Sequence, residues 1–146
     1  MSDLRTGRHV VYSLHVHLVF TTKYRRGVIT DQVREALKGF MDAVCADFDS
    51  ELAAFDGEDD HVHLLVRYPP KVSLSKLVGA LKGASAYRLR LMNLPEVSGK
   101  LWGEHFWSPS YCAVSCGGAP LDIIKRYIEE QRAEPRRKGE KRKIPP

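Results

Sequence analysis

The stretch Asp59-Asp60-His61-Val62-His63-Leu64-Leu65-Val66 decides how the fold of this chain is interpreted. Because side chains alternate along a strand, the two histidines share one face, and the branched aliphatic residues Val62, Leu64 and Val66 form a core face on the other side. Two imidazoles held in this way form a rigid two-point metal clamp that lacks a third ligand. The alternative is that they are ordinary polar residues on an exposed face of a sheet.

The sequence on either side of this strand alternates between strands and helices. A short strand at 51–55 and a turn-rich acidic link at 56–60 precede it, so the two strands form a hairpin. The alternation over 9–22 predicts one long strand, and a fourth strand is predicted at 105–115. Apolar residues at helical spacing predict helices from Thr30 to about Phe48, from Ser73 or Ser75 to about Met92, and from Leu121 to Arg132.

This order predicts an α+β, ferredoxin-like fold. In such a βαββαβ domain, an antiparallel sheet carries both long helices on one face, and here an extra C-terminal helix follows, which contains Tyr127. The first and third strands of these sheets are neighbours, so His15 and His17 should lie on the same open face as His61 and His63. That face is too apolar to be wholly hydrated, and the last helix is the only element left to cover it.

Length and composition are those of a single globular domain, which we place at 1–134, with a basic tail at 135–146. No apolar run approaches the ~20 residues of a membrane span, and no signal-peptide block is present, so we expect a cytoplasmic protein without a membrane partner. Three cysteines are too few and too odd in number for a disulfide framework. Cys112 and Cys116 are either half a zinc site or small thiols on a strand.

The formal charge of +5 resides in the tail, where six basic residues face one acidic residue. The tail is either a mobile arm that binds a polyanion without sequence preference or a solubilising segment. Because the body is close to neutral, any nucleic-acid contact there must come from local clusters. The candidates for backbone contacts are Lys23, Arg25, Arg26, Lys82, Arg88 and Arg90, with Tyr111 as a stacking platform.

Tyr127 and Gln131 are four residues apart, hence on one face of the last helix. If this helix covers the open face, the Gln131 amide oxygen can be the third ligand of an ion on His61 and His63, with the Tyr127 phenol close by. The alternative is that both are ordinary surface residues without a role in metal binding.

The chain resembles the single-tyrosine HUH transposases, which move the smallest insertion sequences as single-stranded DNA. The resemblance spans about 9–131, and its most specific part is the pairing of the histidine strand with the tyrosine helix. The stretches that match are His61-Val62-His63, Leu81-Lys82-Gly83-Ala84-Ser85, Leu101-Trp102 to Trp107-Ser108-Pro109-Ser110-Tyr111, and Tyr127-Ile128-Glu129-Glu130-Gln131.

The resemblance implies a DNA transposase, a metal-dependent single-strand endonuclease and strand transferase. His61, His63 and Gln131 would hold a divalent ion, Mg²⁺ or Mn²⁺, and Tyr127 would be the nucleophile that forms a 5′-phosphotyrosine. It further implies hairpins at the element's ends as the substrate, and a homodimer whose active sites are shared between subunits. Gly117-Gly118 would then be the hinge before the tyrosine helix.

The sequence also fits two rival interpretations. One is a non-catalytic module that binds single-stranded or hairpin nucleic acid, since the same sheet topology serves RNA-binding domains. The other is a zinc hydrolase that uses the histidines and the cysteines. The role of His15 and His17 is also open: they are either hydrogen-bond partners behind the ligands or the real ligand pair.

Overall fold

A computed structural model describes residues 4–97 and 105–115. Tyr127, Gln131, the hinge glycines, Cys116, the predicted last helix and the basic tail lie outside these ranges. A short turn at Lys23–Arg25 is classed as 3₁₀, although its backbone is left-handed at Tyr24 and Arg25. The other elements are β1 (Arg5–Gly7), β2 (Val10–Tyr12), β3 (His15–Thr21), α1 (Asp31–Asp47), β4 (Glu51–Gly57), β5 (His61–Arg67), α2 (Leu74–Met92) and β6 (Cys112–Ser115).

The main sheet has four strands in the order β4-β5-β3-β6, and every neighbouring pair is antiparallel. With β1 and β2 set aside, this is the order of a ferredoxin-like domain, in which the first and third strands are adjacent, as predicted. Both helices pack against one face of the sheet and against each other. The buried core between them includes Leu18, Phe20, Leu37, Met41, Leu64, Leu77, Leu81 and Leu89.

The helix boundaries follow the capping chemistry of the sequence. Thr30 Oγ1 accepts a hydrogen bond from Val33 N at 3.2 Å, and Ser73 Oγ accepts one from Lys76 N at 3.4 Å. Helix α2 ends at Met92, and its C-cap residue Asn93 has a φ of 56°, in the left-handed region. In the described ranges, no helix is both long and apolar enough to cross a membrane.

The predicted strand at 51–55 extends by two residues to Gly57, and two other predicted strands differ by more. The predicted long strand over 9–22 breaks at 13–14: β2 pairs with β1 in a separate hairpin, and β3 begins at His15. Apolar and polar residues keep alternating across the break, so the pattern could not reveal it. The fourth strand is only Cys112–Ser115, because the Ser108 and Ser110 carbonyls bind Lys82 and Pro109 has no backbone donor for a ladder.

Candidate active site

The two histidines of β5 lie side by side on the face of the sheet that points away from the helices. Their ring centroids are 4.9 Å apart, and the ring planes meet at 77°. His61 is buried, and His63 is half-buried. The aliphatic residues that alternate with them are buried in the core, as predicted: Val62, Leu64 and Val66.

A buried carboxylate orients His61. The Nδ1 atom of His61 lies 2.8 Å from Asp60 Oδ1, while Asp60 Oδ2 accepts hydrogen bonds from Arg25 Nε at 3.1 Å and Nη2 at 2.8 Å. All three residues are at most 5% exposed. Because an ionised carboxylate can only accept, Nδ1 of His61 must carry the proton. In the neutral tautomer that this bond selects, Nε2 carries the lone pair that a metal ligand needs.

The turn after β3 brings Arg25 to this position. Tyr24 and Arg25 have φ values of 59° and 51°, a region that non-glycine residues seldom adopt. Backbone hydrogen bonds of 2.9 Å from Arg25 N to Thr22 O and from Thr22 N to Asp60 O fold the turn back onto the start of β5. The unusual backbone is thus held where it supports the histidine.

The protonation states at the site suit a metal ligand pair. Burial alone would raise the pKa of Asp60, but hydrogen bonds from His61 and Arg25, together with the charge of Arg25, hold that pKa well below its usual range. Burial lowers the pKa of His63, and the neighbouring His61 lowers it further. At neutral pH, Asp60 is therefore ionised and His63 is neutral, the form that binds metals.

The surroundings of the pair fit a polar occupant. Thr21 lies opposite His61 in the β3–β5 register, and its buried Oγ1 has no hydrogen-bond partner among the described residues. An orphaned buried oxygen costs about 1–3 kcal/mol, so such atoms usually face an ion, water or ligand. A second polar group beside the pair is the Glu58 carboxylate, whose Oε2 is 3.6 Å from His61 Nε2.

Residues 4–97 and 105–115 contain no group of three His, Cys, Asp or Glu side chains that could hold an ion. The imidazole pair therefore needs a ligand of another type or from another part of the chain.

The second histidine pair lies on the same face, as predicted, but it is staggered. His15 is opposite Arg67 and His17 is opposite Leu65, whereas the residues opposite His63 and His61 are Val19 and Thr21. In the described part of the chain, no hydrogen bond joins His17 to His61 or His63. The charge of His17 nevertheless contributes to the lowered pKa of His63, so the two pairs are electrostatic neighbours.

The six basic candidates do not form one surface. Arg25 is buried in an ion pair with Asp60, so its guanidinium is inaccessible to DNA and the prediction of a backbone contact there is wrong. The cationic groups of Lys23 and Arg26 lie 5.4 and 5.3 Å from the Tyr24 ring centroid, and Arg88 lies over Phe40 at 5.8 Å. Only three of the six line a common cavity, of about 310 Å³: Lys23, Lys82 and Arg90.

Cys112 packs against Val19 and Val114 in a small apolar cluster on the open face, and burial raises its pKa. A thiol in this setting resists ionisation, which favours the buried-thiol interpretation over a zinc ligand. Cys45 is buried in the core on the other side of the sheet.

The sequence model of the family of IS200-like transposases, called Y1, matches residues 10–131 of this chain. The chain belongs to this family of transposases. The match includes β3, the histidine strand and the positions of Tyr127 and Gln131, and it ends before the basic tail.

Two relatives match most of this transposase. It is 36% identical over 129 residues to the ISDra2 transposase TnpA of Deinococcus radiodurans, covering 88% of this chain and 91% of the relative. It is 30% identical to the IS200 transposase of Salmonella typhimurium, covering 99% of this chain and 93% of the relative.

Solved structures share the fold. A crystal structure from Deinococcus radiodurans, of a protein assigned as a transposase, superposes with a TM-score of 0.77 at 37% identity and covers 87% of this chain and 97% of that one. A REP-associated tyrosine transposase bound to a REP hairpin gives a TM-score of 0.54 at 16% identity, covering 91% of this chain and 74% of that one.

Sequence reasoning found the histidine pair of this Y1 transposase but missed what supports it. Strand alternation assigns Asp60 to the face opposite His61, so no pattern predicts their hydrogen bond. Arg25 was predicted only as one of six candidates for backbone contacts to DNA, and nothing in the sequence distinguished Thr21. The described residues place His61 and His63 together, and Tyr127 and Gln131 remain predictions.

Proposed function

We propose that this transposase cleaves and rejoins single-stranded DNA at the ends of its insertion sequence through a 5′-phosphotyrosine on Tyr127. The observation that carries the proposal is the imidazole pair whose first member is held, by buried Asp60, with Nε2 available as a ligand. The family match through residue 131, which includes the tyrosine, supports it.

The reaction exchanges one phosphodiester for another. The phenol oxygen of Tyr127 attacks the phosphorus, and the bond from phosphorus to the 3′-oxygen breaks. The phenol loses a proton and the departing 3′-oxygen gains one, so the step neither consumes nor releases a proton overall. The 5′-phosphate stays on the tyrosine, which conserves the bond energy until a 3′-hydroxyl of the target strand reverses the attack.

His61, His63 and the Gln131 amide oxygen would hold a divalent ion. When bound, such an ion polarises the scissile phosphate and offsets the negative charge that develops on its oxygens. Asp60 keeps the His61 ring in one tautomer and orientation, so Nε2 need not reorganise when the ion arrives.

Hairpin DNA and a shared dimeric site complete the proposal. The distant structural neighbour is bound to a REP hairpin, and hairpins at the element's ends are the corresponding substrate here. We further propose that the helix bearing Tyr127 completes the histidine site of a second copy, as the family resemblance implies.

The polarity of the covalent adduct tests the chemistry directly. An oligonucleotide that carries the cleavage site is labelled at its 3′ end or its 5′ end, incubated with protein and Mn²⁺, and run on a denaturing gel. We expect the 3′ label to migrate with the protein and the 5′ label to appear in a shorter free strand. The reverse pattern would contradict a 5′-phosphotyrosine.

The same gel separates this proposal from a binding module. RNA-binding sheets of this topology use aromatic residues on the open face. The corresponding described positions of β3 and β5 instead hold histidine, aliphatic, threonine and arginine side chains. Wild-type binding without any adduct would nevertheless favour the module.

We expect Mn²⁺ to support cleavage at least as well as Mg²⁺. Two imidazoles and one amide are softer ligands than Mg²⁺ prefers, whereas Mn²⁺ accepts nitrogen more readily. Cleavage rates measured across equal concentrations of each ion check this. A strict requirement for Mg²⁺ would contradict the ligand set.

His61→Ala should weaken Mn²⁺ binding by more than about 100-fold, since loss of a ligand exceeds the effect of losing a group behind it. His17→Ala, on the same face but opposite Leu65, should change the affinity by less than about 10-fold. Calorimetric titration of Mn²⁺ into each variant measures both. Equal losses would mean that the wrong pair has been assigned.

A further inference from the structure

Thr21 and Val19 are the two residues of β3 that lie opposite the histidine pair. Thr21 is opposite His61, and Val19 is opposite His63, in the antiparallel register. Directly opposite residues of neighbouring strands point to the same face of a sheet, with their Cβ atoms roughly 4.5–5.5 Å apart. The side chains of Thr21 and Val19 therefore flank the two imidazoles on the open face.

The two flanking side chains give the histidines different surroundings. Val19 is fully buried and packs against Cys112, so the surroundings of His63 on this side are apolar. Thr21 is 2% exposed, and its Oγ1 has no hydrogen-bond partner in the part of the chain that the structure describes. The buried hydroxyl therefore lies on the His61 side of the pair.

The fold does not require a hydroxyl at this position of β3. Valine has nearly the same shape as threonine, suits a strand equally well and would bury no polar atom there. Burial of a hydroxyl without a hydrogen bond is unfavourable, whereas burial of a methyl group in its place is favourable. The hydroxyl of Thr21 is best explained by a partner that the described residues do not supply.

The adjacent threonine is buried as well, but its hydrogen bonds are made within the protein. Thr22 Oγ1 donates to Arg26 O at 2.8 Å and lies 3.3 Å from Asp60 O. Thr22 pairs with Trp107 on the core side of the sheet. The two threonines therefore form a matched pair, since both are buried and only the hydroxyl of Thr22 binds carbonyl groups of the described residues.

The short side chain of Thr21 decides which partner fits. Its hydroxyl is one bond from Cβ, whereas Nε2 of His61 is on the far side of the ring, and Nδ1 of that ring bonds to Asp60. The hydroxyl is thus too short to reach an ion beside Nε2, and one water molecule spans such a gap. A Mg²⁺ or Mn²⁺ ion with few protein ligands keeps several water molecules that can do so.

We propose that Thr21 is a positioning residue of the metal site, and that its hydroxyl binds a water molecule in the coordination shell of the divalent ion on His61 and His63. The inference rests on the proposed function, because it takes that ion as the occupant. Thr21 acts on the water as Asp60 acts on the His61 ring. Neither residue touches the ion, and both limit the reorganisation that binding requires.

Two variants of Thr21 test this role. Thr21→Val removes the hydroxyl and keeps the shape, whereas Thr21→Ser keeps the hydroxyl. Calorimetric titration of the full chain with Mn²⁺, without DNA, measures the affinity of each. We expect Thr21→Val to weaken Mn²⁺ binding at least about 10-fold and Thr21→Ser to stay within about 3-fold of wild type. Unchanged affinity in Thr21→Val would overturn the inference.

The melting temperature in the presence of EDTA separates this role from a structural one. Without the ion the Thr21 hydroxyl has no partner, so Thr21→Val should melt at least about 3 °C above wild type. Thr22→Val, which removes the donor to Arg26 O, should melt below wild type. A lower melting temperature for Thr21→Val would mean that its hydroxyl already has a partner inside the protein, and would also overturn the inference.

Adduct formation by the wild-type protein distinguishes this inference from the proposed function. If wild type binds Mn²⁺ and forms the adduct while Thr21→Val keeps the same Mn²⁺ affinity, only the role of Thr21 is overturned. If wild type binds no Mn²⁺, the proposed metal site and this inference are overturned together.

Discussion

Replacement of Tyr127 by phenylalanine is expected to abolish covalent cleavage while hairpin affinity stays within about two-fold of wild type. Only the nucleophilic oxygen is removed, and the aromatic ring remains. Loss of a nucleophile from an enzyme that forms a covalent intermediate typically reduces the rate by about 10⁴-fold or more. Adduct yield on a denaturing gel and hairpin affinity by anisotropy, measured on the same preparation, check both halves of the prediction.

Tyr87→Phe is the matched control, because Tyr87 is an exposed tyrosine on α2. It should form the adduct at the wild-type rate. An adduct that persists in Tyr127→Phe would assign the nucleophile to another residue. Loss of hairpin binding in that variant would instead assign Tyr127 to DNA binding or to the fold.

Replacement of Asp60 by asparagine is expected to lower the free energy of unfolding by about 3–5 kcal/mol. The change leaves the Arg25 guanidinium buried without the carboxylate that now accepts two of its hydrogen bonds. Urea denaturation followed by circular dichroism measures the loss. Asp59→Asn, at the exposed neighbouring position, should change stability by less than about 0.5 kcal/mol.

The pH dependence of stability gives an independent check on Asp60. Its pKa is lowered in the folded protein, so its contribution is complete above the ordinary value of 3.8 and is lost as the pH falls toward the lower folded value. We expect wild-type stability to fall more steeply than that of Asp60→Asn in this acid range. Parallel curves for the two proteins would mean that the carboxylate does not hold Arg25 in the way the structure shows.

Most of the fold could be predicted from the sequence, because it depends on local periodicity. Alternation identified the core face of β5, and helical spacing with Thr30 and Ser73 as caps identified α1 and α2. The order of these elements then selected the ferredoxin-like sheet. The break between β2 and β3 at 13–14 could not be predicted, because polar and apolar residues alternate in phase on both sides of it.

The candidate site could be predicted from the sequence only in part. His61 and His63 could be paired from their spacing, but the contacts of Arg25 and Lys82 span 35 and 26 residues, and no repeat in the sequence records them. Lys82 was predicted only as a candidate contact to the DNA backbone, and the structure also bonds its Nζ to the Ser108 and Ser110 carbonyls.

The sequence by itself determined which faces are buried, where the helices begin and which histidines lie together, because each of these follows from neighbours a few residues apart. Only the tertiary structure decided that Asp60 orients His61, that Arg25 is an internal counter-ion and that three separate cations line one cavity. The contact of Arg25 and the position of Lys23 at the cavity depend on a turn with left-handed backbone at Tyr24 and Arg25 that folds against β5. Hydrogen bonds between residues far apart in the sequence hold this turn in place. The spacing of residue types along the chain does not predict such contacts.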